Sequence, residues 1–193
     1  YVCTLYAARK FGRAVKWISD RNEAFVSDSH GRDHVTRMQL ALDQNAKILG
    51  LKVNTVANLG AYLSNFAPFV ATAAGVPMLV GCYAIPTAYV EIQGVFTNTT
   101  PVDAYRGAGR PEAIYAIERL LDAAAFDLGL SPAEIRRRNF ITPEAMPYST
   151  ALGATYDSGV FQKNLEDALE MSDWNNFDSR RTSAKTRGKL LGI

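Results

Sequence analysis

The segment Ala-Tyr-Arg-Gly-Ala-Gly-Arg-Pro, residues 104–111, combines residue types that could bind an anion. Its two glycines permit backbone conformations that a side chain forbids, and they let a ligand approach the main chain closely. The proline favours the first turn of a helix, so the amides of residues 107–113, the proline excepted, are expected on the concave side of the loop. With the positive helix end and the guanidinium groups of Arg106 and Arg110 nearby, these amides could bind an anion or an electronegative oxygen.

The same residues leave a simpler alternative open, a tight turn before a helix. Neither the strand-Gly-x-Gly-x-x-Gly unit of dinucleotide-binding proteins nor the Gly-Lys-Ser/Thr end of a P-loop occurs in the sequence. His30 and His34 are four residues apart but lack a surrounding His-Glu-x-x-His motif, which argues against a zinc helix. Arg21 and Glu23 are most simply a turn with a salt bridge. Spacing alone therefore does not decide between a turn and an anion site.

The composition is that of a soluble globular protein of one domain or two small ones. Of 193 residues, 48% are hydrophobic and 21% are charged, and the net charge of +2 is too small to indicate a nucleic-acid partner. The apolar run Phe69–Ile85 contains glycines and a proline and is too short to span a membrane. Cys3 and Cys82 form no Cys-x-x-Cys motif, so we predict two buried free thiols in a reducing cytoplasm and no zinc or iron-sulfur site.

Strands are predicted for most of the first hundred residues, after an amphipathic helix whose inner side carries Val2, Leu5, Tyr6 and Phe11. Period-2 alternation predicts a strand at 14–20, a hairpin of strands at 34–43 and 48–62 around the turn 44–47, and a strand at 89–98 with a bulge or close approach at Gly94. We expect these strands to form an antiparallel sheet. The last residues, Gly-Lys-Leu-Leu-Gly-Ile, are typical of a strand that is just beginning.

From Pro111 to residue 188 the pattern is mainly helical. An apolar stripe predicts a helix that ends at Gly129, with Glu118, Arg119 and Asp122 on its opposite face; the stripe comprises Ile114, Ile117, Leu121, Ala124 and Leu128. Ser131 and Glu134 are typical of a capping box around a second helix. Two further helices are predicted, one capped by Asn164 and one ending at Gly188, with the basic residues of 180–189 on a solvated face. The fold class is α+β.

The segment Ala-Tyr-Arg-Gly-Ala-Gly-Arg-Pro-Glu-Ala, residues 104–113, resembles the active-site loop of one enzyme family. This is the molybdenum-binding large subunit of the xanthine dehydrogenase, aldehyde oxidase and carbon monoxide dehydrogenase family, in its carbon monoxide dehydrogenase-like branch. Further segments are similar to the family in family order: GRAVKWISDRNE, LALDQNAKILGLKV, NLGAY, CYAIP, GVFTNTTPVDAYRGAGRPEA, LGLSPAEIRRRNFI and YDSGVF. The resemblance covers essentially the whole chain.

The resemblance implies an oxidoreductase that hydroxylates an aldehyde or an N-heterocyclic carbon with water-derived oxygen. The cofactor implied is molybdenum-molybdopterin, in its cytosine dinucleotide form, and the partners implied are the rest of the large subunit, an iron-sulfur small subunit, an FAD medium subunit and a small-molecule substrate. The implied location is cytoplasmic. The residues implied to bind the cofactor, mostly through their backbone and with support from the Arg106 side chain, are Ala104, Tyr105, Arg106, Gly107, Ala108 and Gly109.

At several positions the sequence differs from the family pattern, and these differences restrict the substrates and the activity that the resemblance implies. Members that oxidise carbon monoxide carry a cysteine at the position of Gly107, and purine-oxidising members carry a phenylalanine at Ala108 and an arginine at Ala74. The family's catalytic glutamate belongs to a Gly-Glu motif, which this chain lacks. We therefore expect residues 1–193 to be a segment of the large subunit that neither binds metal nor turns over substrate alone. A non-catalytic assembly module and a phosphate or nucleotide binder are the alternatives.

Overall fold

A three-stranded mixed sheet lies at the centre of the α+β fold in the computed structural model, which describes residues 1–193. The strands, in the spatial order β1-β2-β3, are β1 (His34–Leu42), β2 (Ile48–Gly60) and β3 (Ala88–Phe96). The predicted hairpin is confirmed: β1 and β2 are antiparallel, with Met38 opposite Val53. Val53 is fully buried because alternate residues of the central strand face the core.

The direction of β3 differs from the expectation, since β3 runs parallel to β2. The prediction of an antiparallel sheet is therefore right for the first pair of strands and wrong for the second. The reason is the connection of residues 61–87, which is long enough to return the chain to the starting end of the sheet. It contains the short helix α3 (Ala67–Phe69), a π-helical turn (Val70–Ala74) and a 3₁₀ turn (Val76–Met78).

The chain has six longer helices. They are α1 (Val2–Phe11), α2 (Arg21–Ser27), α4 (Arg110–Asp127), α5 (Pro132–Asn139), α6 (Phe161–Met171) and α7 (Phe177–Thr186). Two short strands, β4 (Tyr148–Ser149) and β5 (Thr155–Tyr156), pair in a second small sheet. None of the helices combines the length and the apolar character needed to cross a membrane.

The helix ends follow the predicted signals in most places. Ser131 caps α5 by accepting a hydrogen bond from the Glu134 amide at 3.1 Å, but the Glu134 carboxylate pairs with Arg138, so only half of the predicted capping box forms. Gly129 ends the α4 turn with φ 65°. Helix α6 begins at Phe161, so the predicted cap at Asn164 is wrong and that residue lies within the first turn. The earlier start is possible because no proline or glycine interrupts residues 161–163.

Helix α4 packs on the sheet through a stripe that differs from the predicted one by about one residue. Ile117 and Leu121 are fully buried as expected, and the other buried positions are Ala113 and Ala125. Ile114 and Leu128, predicted to be buried, are 41% and 48% exposed. Small alanine side chains let the helix approach β2 and the connection, which supply Ile48, Leu51, Val53, Leu79, Val80, Tyr83 and Ile85 to the same core.

The terminal regions depart most from the sequence-based expectations. Helix α1 forms, but its predicted inner side chains, Val2, Leu5, Tyr6 and Phe11, are all exposed. Cys3 on the same helix is also exposed, not buried.

Residues 14–20 form no strand, because no neighbouring strand pairs with them, and residues 189–193 form none either. Glu23 completes a capping box with Asp20 at the start of α2 and forms no salt bridge with Arg21.

Candidate functional site

The loop predicted to bind an anion lies between β3 and α4 and consists of consecutive tight turns. The Ala108 amide donates to the Tyr105 carbonyl at 2.7 Å, and the Arg110 amide donates to the Gly107 carbonyl at 3.2 Å. Gly107, Ala108 and Gly109 have φ angles of 91°, 45° and 87°, so three successive residues adopt left-handed conformations. Glycine at two of the three positions makes this backbone accessible, since other residues adopt it at a cost.

Several amides of this loop have no hydrogen-bond acceptor within the chain. Those of Arg106 and Gly107, both exposed residues, are free, and so is that of Gly109, which is buried. The amides of Ala108 and Arg110 are used in the turns. The prediction that the amides of residues 107–113, the proline excepted, serve a ligand on the concave side is therefore wrong for these two and for Ala113, whose amide donates to the Gly109 carbonyl. The free amides remain as donors for an electronegative ligand.

The π-helical turn of residues 70–74 forms the floor under the loop. A Cβ atom on Gly109 would collide with the Val70 carbonyl oxygen and would lie 3.0 Å from the Gly75 amide nitrogen. A Cβ on Gly75 would lie 3.2 Å from the Gly109 carbonyl oxygen. The two backbones therefore touch because both positions are glycine. The sequence contains both glycines, but only the structure shows that they meet.

Arg32 contacts the loop from the turn before β1, and sequence analysis did not identify it. Its Nη2 donates to the Arg106 carbonyl at 3.1 Å, and its Nη1 lies 3.3 Å from Oε1 of Glu112, in the first turn of α4. Its guanidinium carbon lies 5.1 Å from the centre of the Tyr105 ring, a cation-π distance. One side chain thus joins three parts of the loop and its helix. The available sequence signal was a charged residue directly after Gly31.

A polar cluster fixes the chain on its way into the loop. The Asn58 Nδ2 donates to Asp33 Oδ2 at 2.7 Å and to Thr99 Oγ1 at 3.0 Å. The Asn58 Oδ1 accepts from the Gly60 amide and from Thr97 Oγ1, both at 2.8 Å. All hydrogen-bonding positions of this amide are therefore used, and the ends of β2 and β3 are held against the turn that carries Arg32.

The two histidines of the sequence lie near the loop, His30 as an exposed residue and His34 as a half-buried one. The His30 amide donates to the Pro101 carbonyl at 2.9 Å, and the His30 carbonyl accepts from the Asp103 amide at 2.8 Å, which ties the loop entrance to the turn before β1. Burial lowers the pKa of His34 below its usual value, and the Glu112 carboxylate opposes this shift. His34 is therefore neutral at pH 7. The chain contains no group of three or more side chains that could hold a metal ion.

A cleft of about 760 Å³ opens beside the loop, between β1 and α4. Its walls carry Arg32, Asp33, His34, Thr36, Met38, Pro111, Glu112, Tyr115, Ala116, Arg119, Leu120 and Ala123. The Glu112 side chain is 13% exposed, and its Oε2 is buried without a hydrogen-bond partner. This carboxylate belongs to the first turn of α4, where the positive helix end stabilises it.

The predicted binding residues lie together, and their environments differ. Ala104, Tyr105, Arg106 and Gly107 are exposed, Ala108 is half-buried and Gly109 is buried. A Cβ at position 107 would lie 2.5 Å from Pro111 Cγ on a backbone with φ 91°, so a cysteine there requires the loop to shift. Ala74 is 3% exposed and belongs to the floor, not to the cleft wall.

Comparison with known proteins gives one consistent result. The family model described as molybdopterin cofactor-binding domain matches residues 1–140. The chain is 37% identical to the 6-hydroxypseudooxynicotine dehydrogenase complex subunit gamma of Paenarthrobacter nicotinovorans, over the whole chain and 25% of that protein. It is 38% identical to the carbon monoxide dehydrogenase large chain of Hydrogenophaga pseudoflava, over the same shares. The chain spans about a quarter of the length of these curated relatives.

The fold agrees with solved structures over almost the whole chain. The crystal structure of quinoline 2-oxidoreductase from Pseudomonas putida 86 superimposes with a TM-score of 0.87 at 35% identity, covering 97% of this chain and 24% of that one. The long family-model match and the identities to both relatives extend well beyond the loop. The chain therefore belongs to the molybdopterin cofactor-binding domain family.

Proposed function

We propose that residues 1–193 are a segment of the molybdopterin-binding domain of a large subunit, and that the complete enzyme is a molybdenum hydroxylase. It hydroxylates an aldehyde or an N-heterocyclic carbon with water-derived oxygen. The observation that carries the proposal is the loop 104–109, whose Arg106 and Gly107 amides have no acceptor in the chain. The loop presents these donors on a backbone fixed by its own turns and by the floor under Gly109.

The residues of the loop fit an electronegative group such as a molybdopterin. Free backbone amides, the positive end of α4 and the exposed Arg106 side chain each favour negative charge near this loop. The molybdenum-molybdopterin cofactor, in its cytosine dinucleotide form, supplies the oxidation chemistry when it is bound. The backbone of Ala104–Gly107 would bind it, the Arg106 side chain would add positive charge, and Gly109 keeps the loop on its floor.

The site favours an aldehyde or an N-heterocycle over carbon monoxide or a purine as substrate. No thiol is present at position 107 to hold a soft copper ion, and the backbone there disfavours a side chain. Ala108 offers no aromatic ring, and the buried Ala74 offers no cation for a purine. Quinoline 2-oxidoreductase and the 6-hydroxypseudooxynicotine dehydrogenase subunit, two of the matched proteins, are named for compounds with a nitrogen-containing ring.

The surface of the chain supports assembly with further protein. The chain exposes 13,055 Å², whereas a compact monomer of this mass exposes roughly 9,000 Å². The large apolar side chains of α1 contribute to this excess. We propose that the rest of the large subunit, an iron-sulfur subunit and an FAD subunit complete the enzyme in the cytoplasm. Two unpaired cysteines agree with a reducing compartment.

The test compares Arg106→Ala with wild type in the complete enzyme, with Arg187→Ala as the control because it removes an exposed arginine at the end of α7. Turnover, molybdenum content and thermal midpoint are measured together. We expect Arg106→Ala to lower turnover about 10- to 1000-fold, the scale of losing a charge-assisted contact in an active site. Its thermal midpoint should change little, since the residue is exposed in a loop.

Three outcomes would contradict the proposal or a part of it. Full activity and normal metal content in Arg106→Ala would remove this side chain from the site. A complete wild-type subunit without molybdenum or pterin would instead favour a non-catalytic assembly module. If that subunit binds nucleotides or phosphate at the start of α4, the phosphate-binding alternative applies.

A further inference from the structure

Two adjacent residues before β1, Arg32 and Asp33, adopt left-handed backbone conformations, with φ angles of 69° and 74°. Neither is a glycine, and residues with a Cβ atom rarely adopt this conformation. Such a backbone persists where surrounding contacts hold it, and it occurs preferentially at functional sites. A functional role of these two residues would explain this backbone conformation.

Asp33 anchors the turn to the sheet. Its Oδ2 accepts from Asn58 Nδ2 at 2.7 Å, and its carbonyl accepts from the Asn58 amide at 3.1 Å. These two bonds fix the turn to the end of β2. A Cβ on Gly31 would lie 2.5 Å from the Cβ of Tyr105, so the loop lies directly against the anchored turn. The turn is thus a rigid support from which the next side chain acts.

Arg32 uses this support to fix one peptide group of the loop. Its Nη2 donates to the Arg106 carbonyl at 3.1 Å. That carbonyl and the free amide of Gly107 belong to the same planar peptide unit, in which C=O and N–H point in opposite directions. Holding the carbonyl therefore sets the direction of the Gly107 N–H. The Glu112 carboxylate and the Tyr105 ring keep the guanidinium in place.

We propose that Arg32 is a positioning residue that aims the Gly107 amide at the cofactor. The inference rests on the proposed function, because the amide needs a ligand to act on. Arg32 itself contacts the loop and not the cofactor. Its effect passes through the orientation of the Arg106–Gly107 peptide, which no other side chain of the loop or of the turn holds.

The alternative is a merely structural ion pair between Arg32 and Glu112, and two variants separate the two ideas. Glu112→Gln removes the charge but keeps an oxygen for Nη1, so the Arg106 carbonyl stays bound and we expect turnover to fall clearly less than in Arg32→Ala. Arg32→Lys keeps the charge but loses the planar fork that reaches both partners. We expect it to lie between wild type and Arg32→Ala.

The experiment uses the complete enzyme and four variants: Arg32→Ala, Arg32→Lys, Glu112→Gln and the control Arg181→Ala, which removes an exposed arginine of α7. Hydrogen exchange of peptides covering residues 104–110 is measured beside kcat per bound molybdenum and KM. We expect Arg32→Ala to speed exchange at Gly107 about 10-fold and to lower kcat per molybdenum about 10- to 100-fold, with KM within about twofold. Arg181→Ala should match wild type.

The outcomes separate this inference from the proposed function. If wild type holds molybdenum and turns over, but Arg32→Ala equals it in exchange and in kcat per molybdenum, Arg32 is not a positioning residue and the proposed function stands. If Glu112→Gln lowers kcat as much as Arg32→Ala, the ion pair accounts for the effect and the inference is overturned. If Arg32→Ala fails to fold, Arg32→Lys and Glu112→Gln carry the same comparison. If wild type holds no molybdenum cofactor, the proposed function itself fails.

Discussion

The Asn139 side chain at the end of α5 accepts a hydrogen bond from the Ile48 amide at the start of β2, over 2.8 Å. Its Nδ2 donates to the carbonyls of Ala46 and Ile135, both at 2.8 Å. Asn139 is 2% exposed, so these bonds form in the core. One buried amide thus joins the second helix after the loop to the turn of the central hairpin.

Replacing this amide should destabilise the fold. Asn139→Ala leaves the Ile48 amide and the Ala46 carbonyl buried without partners, which costs about 2–4 kcal/mol. The opening free energy of the amides around Ile48, measured by hydrogen exchange in the assembled large subunit, should fall by that amount. Asn175→Ala is the control because Asn175 is exposed. Equal effects of the two substitutions would show that the core hydrogen bonds contribute little.

The two glycines at the ends of α4 provide a matched pair. Both have positive φ angles, 87° for Gly109 and 65° for Gly129, but a Cβ meets the Val70 carbonyl only at Gly109 and meets nothing within 4 Å at Gly129. Gly129→Ala should cost about 1 kcal/mol, the backbone strain alone. Gly109→Ala should also displace the loop, so the complete enzyme should lose most of its molybdenum. Retention of molybdenum in Gly109→Ala would show that the floor does not fix the loop.

Arg136 pairs with two carboxylates of α4, and its replacement should destabilise the fold. Its Nη2 lies 2.6 Å from Glu118 Oε2 and 3.0 Å from Asp122 Oδ1, and the Tyr83 hydroxyl donates to the other Glu118 oxygen at 2.7 Å. Burial and this hydrogen bond raise the pKa of Tyr83. Arg136→Met leaves the half-buried Glu118 carboxylate without a cation and should lower the free energy of unfolding by about 1–3 kcal/mol, read from hydrogen exchange in α4 and α5.

Arg119→Met is the control for that substitution. Arg119 pairs with the same Asp122 at 3.1 Å, but its side chain is 63% exposed. Exposed ion pairs contribute about 0–1 kcal/mol, so the change should be small. A loss as large as that in Arg136→Met would mean that burial of the arginine does not decide the effect.

The Cys82 thiol should react slowly at neutral pH. Burial raises its pKa to about 11, and the Glu118 carboxylate adds to this shift. Because only the thiolate reacts, about one thiol in 1,000 is reactive at pH 8. The rate of labelling by iodoacetamide, followed by mass spectrometry against free glutathione, should rise about tenfold per pH unit from pH 7 to 10. A rate that levels off near pH 9 would contradict the raised pKa.

Short sequence patterns correctly predicted those parts of the fold that depend on residues close together in the chain. The hairpin follows from alternation on both sides of a short turn, and the start and end of α4 and the start of α5 follow from Pro111, Gly129 and Ser131. The strand expected at residues 14–20 shows the limit of this reasoning. Its alternation is present, but a strand also needs a neighbour to pair with, and a short pattern does not report one.

The sequence predicted the loop of the candidate site but not the distant residues that contact it. Residues 104–109 were identified because their types are unusual and adjacent in sequence. Arg32 was missed because its contact with Arg106 joins positions 74 residues apart. The floor at Val70–Ala74 was missed for the same reason, and its π-helical turn has no simple sequence signal. The direction of β3 depends on that same connection.

From the mixed pairing of β2 we also expect an order of folding. The antiparallel pair β1–β2 closes through five residues and needs only local contacts, whereas β3 can join β2 only after the 27-residue connection has wrapped over the sheet. Non-local parallel pairing forms more slowly because chain entropy is lost before the contacts are gained. The loop of residues 104–109 follows β3 and rests on that connection, so we expect it to reach its final shape last. A newly synthesised subunit would then become able to accept its cofactor only near the end of folding.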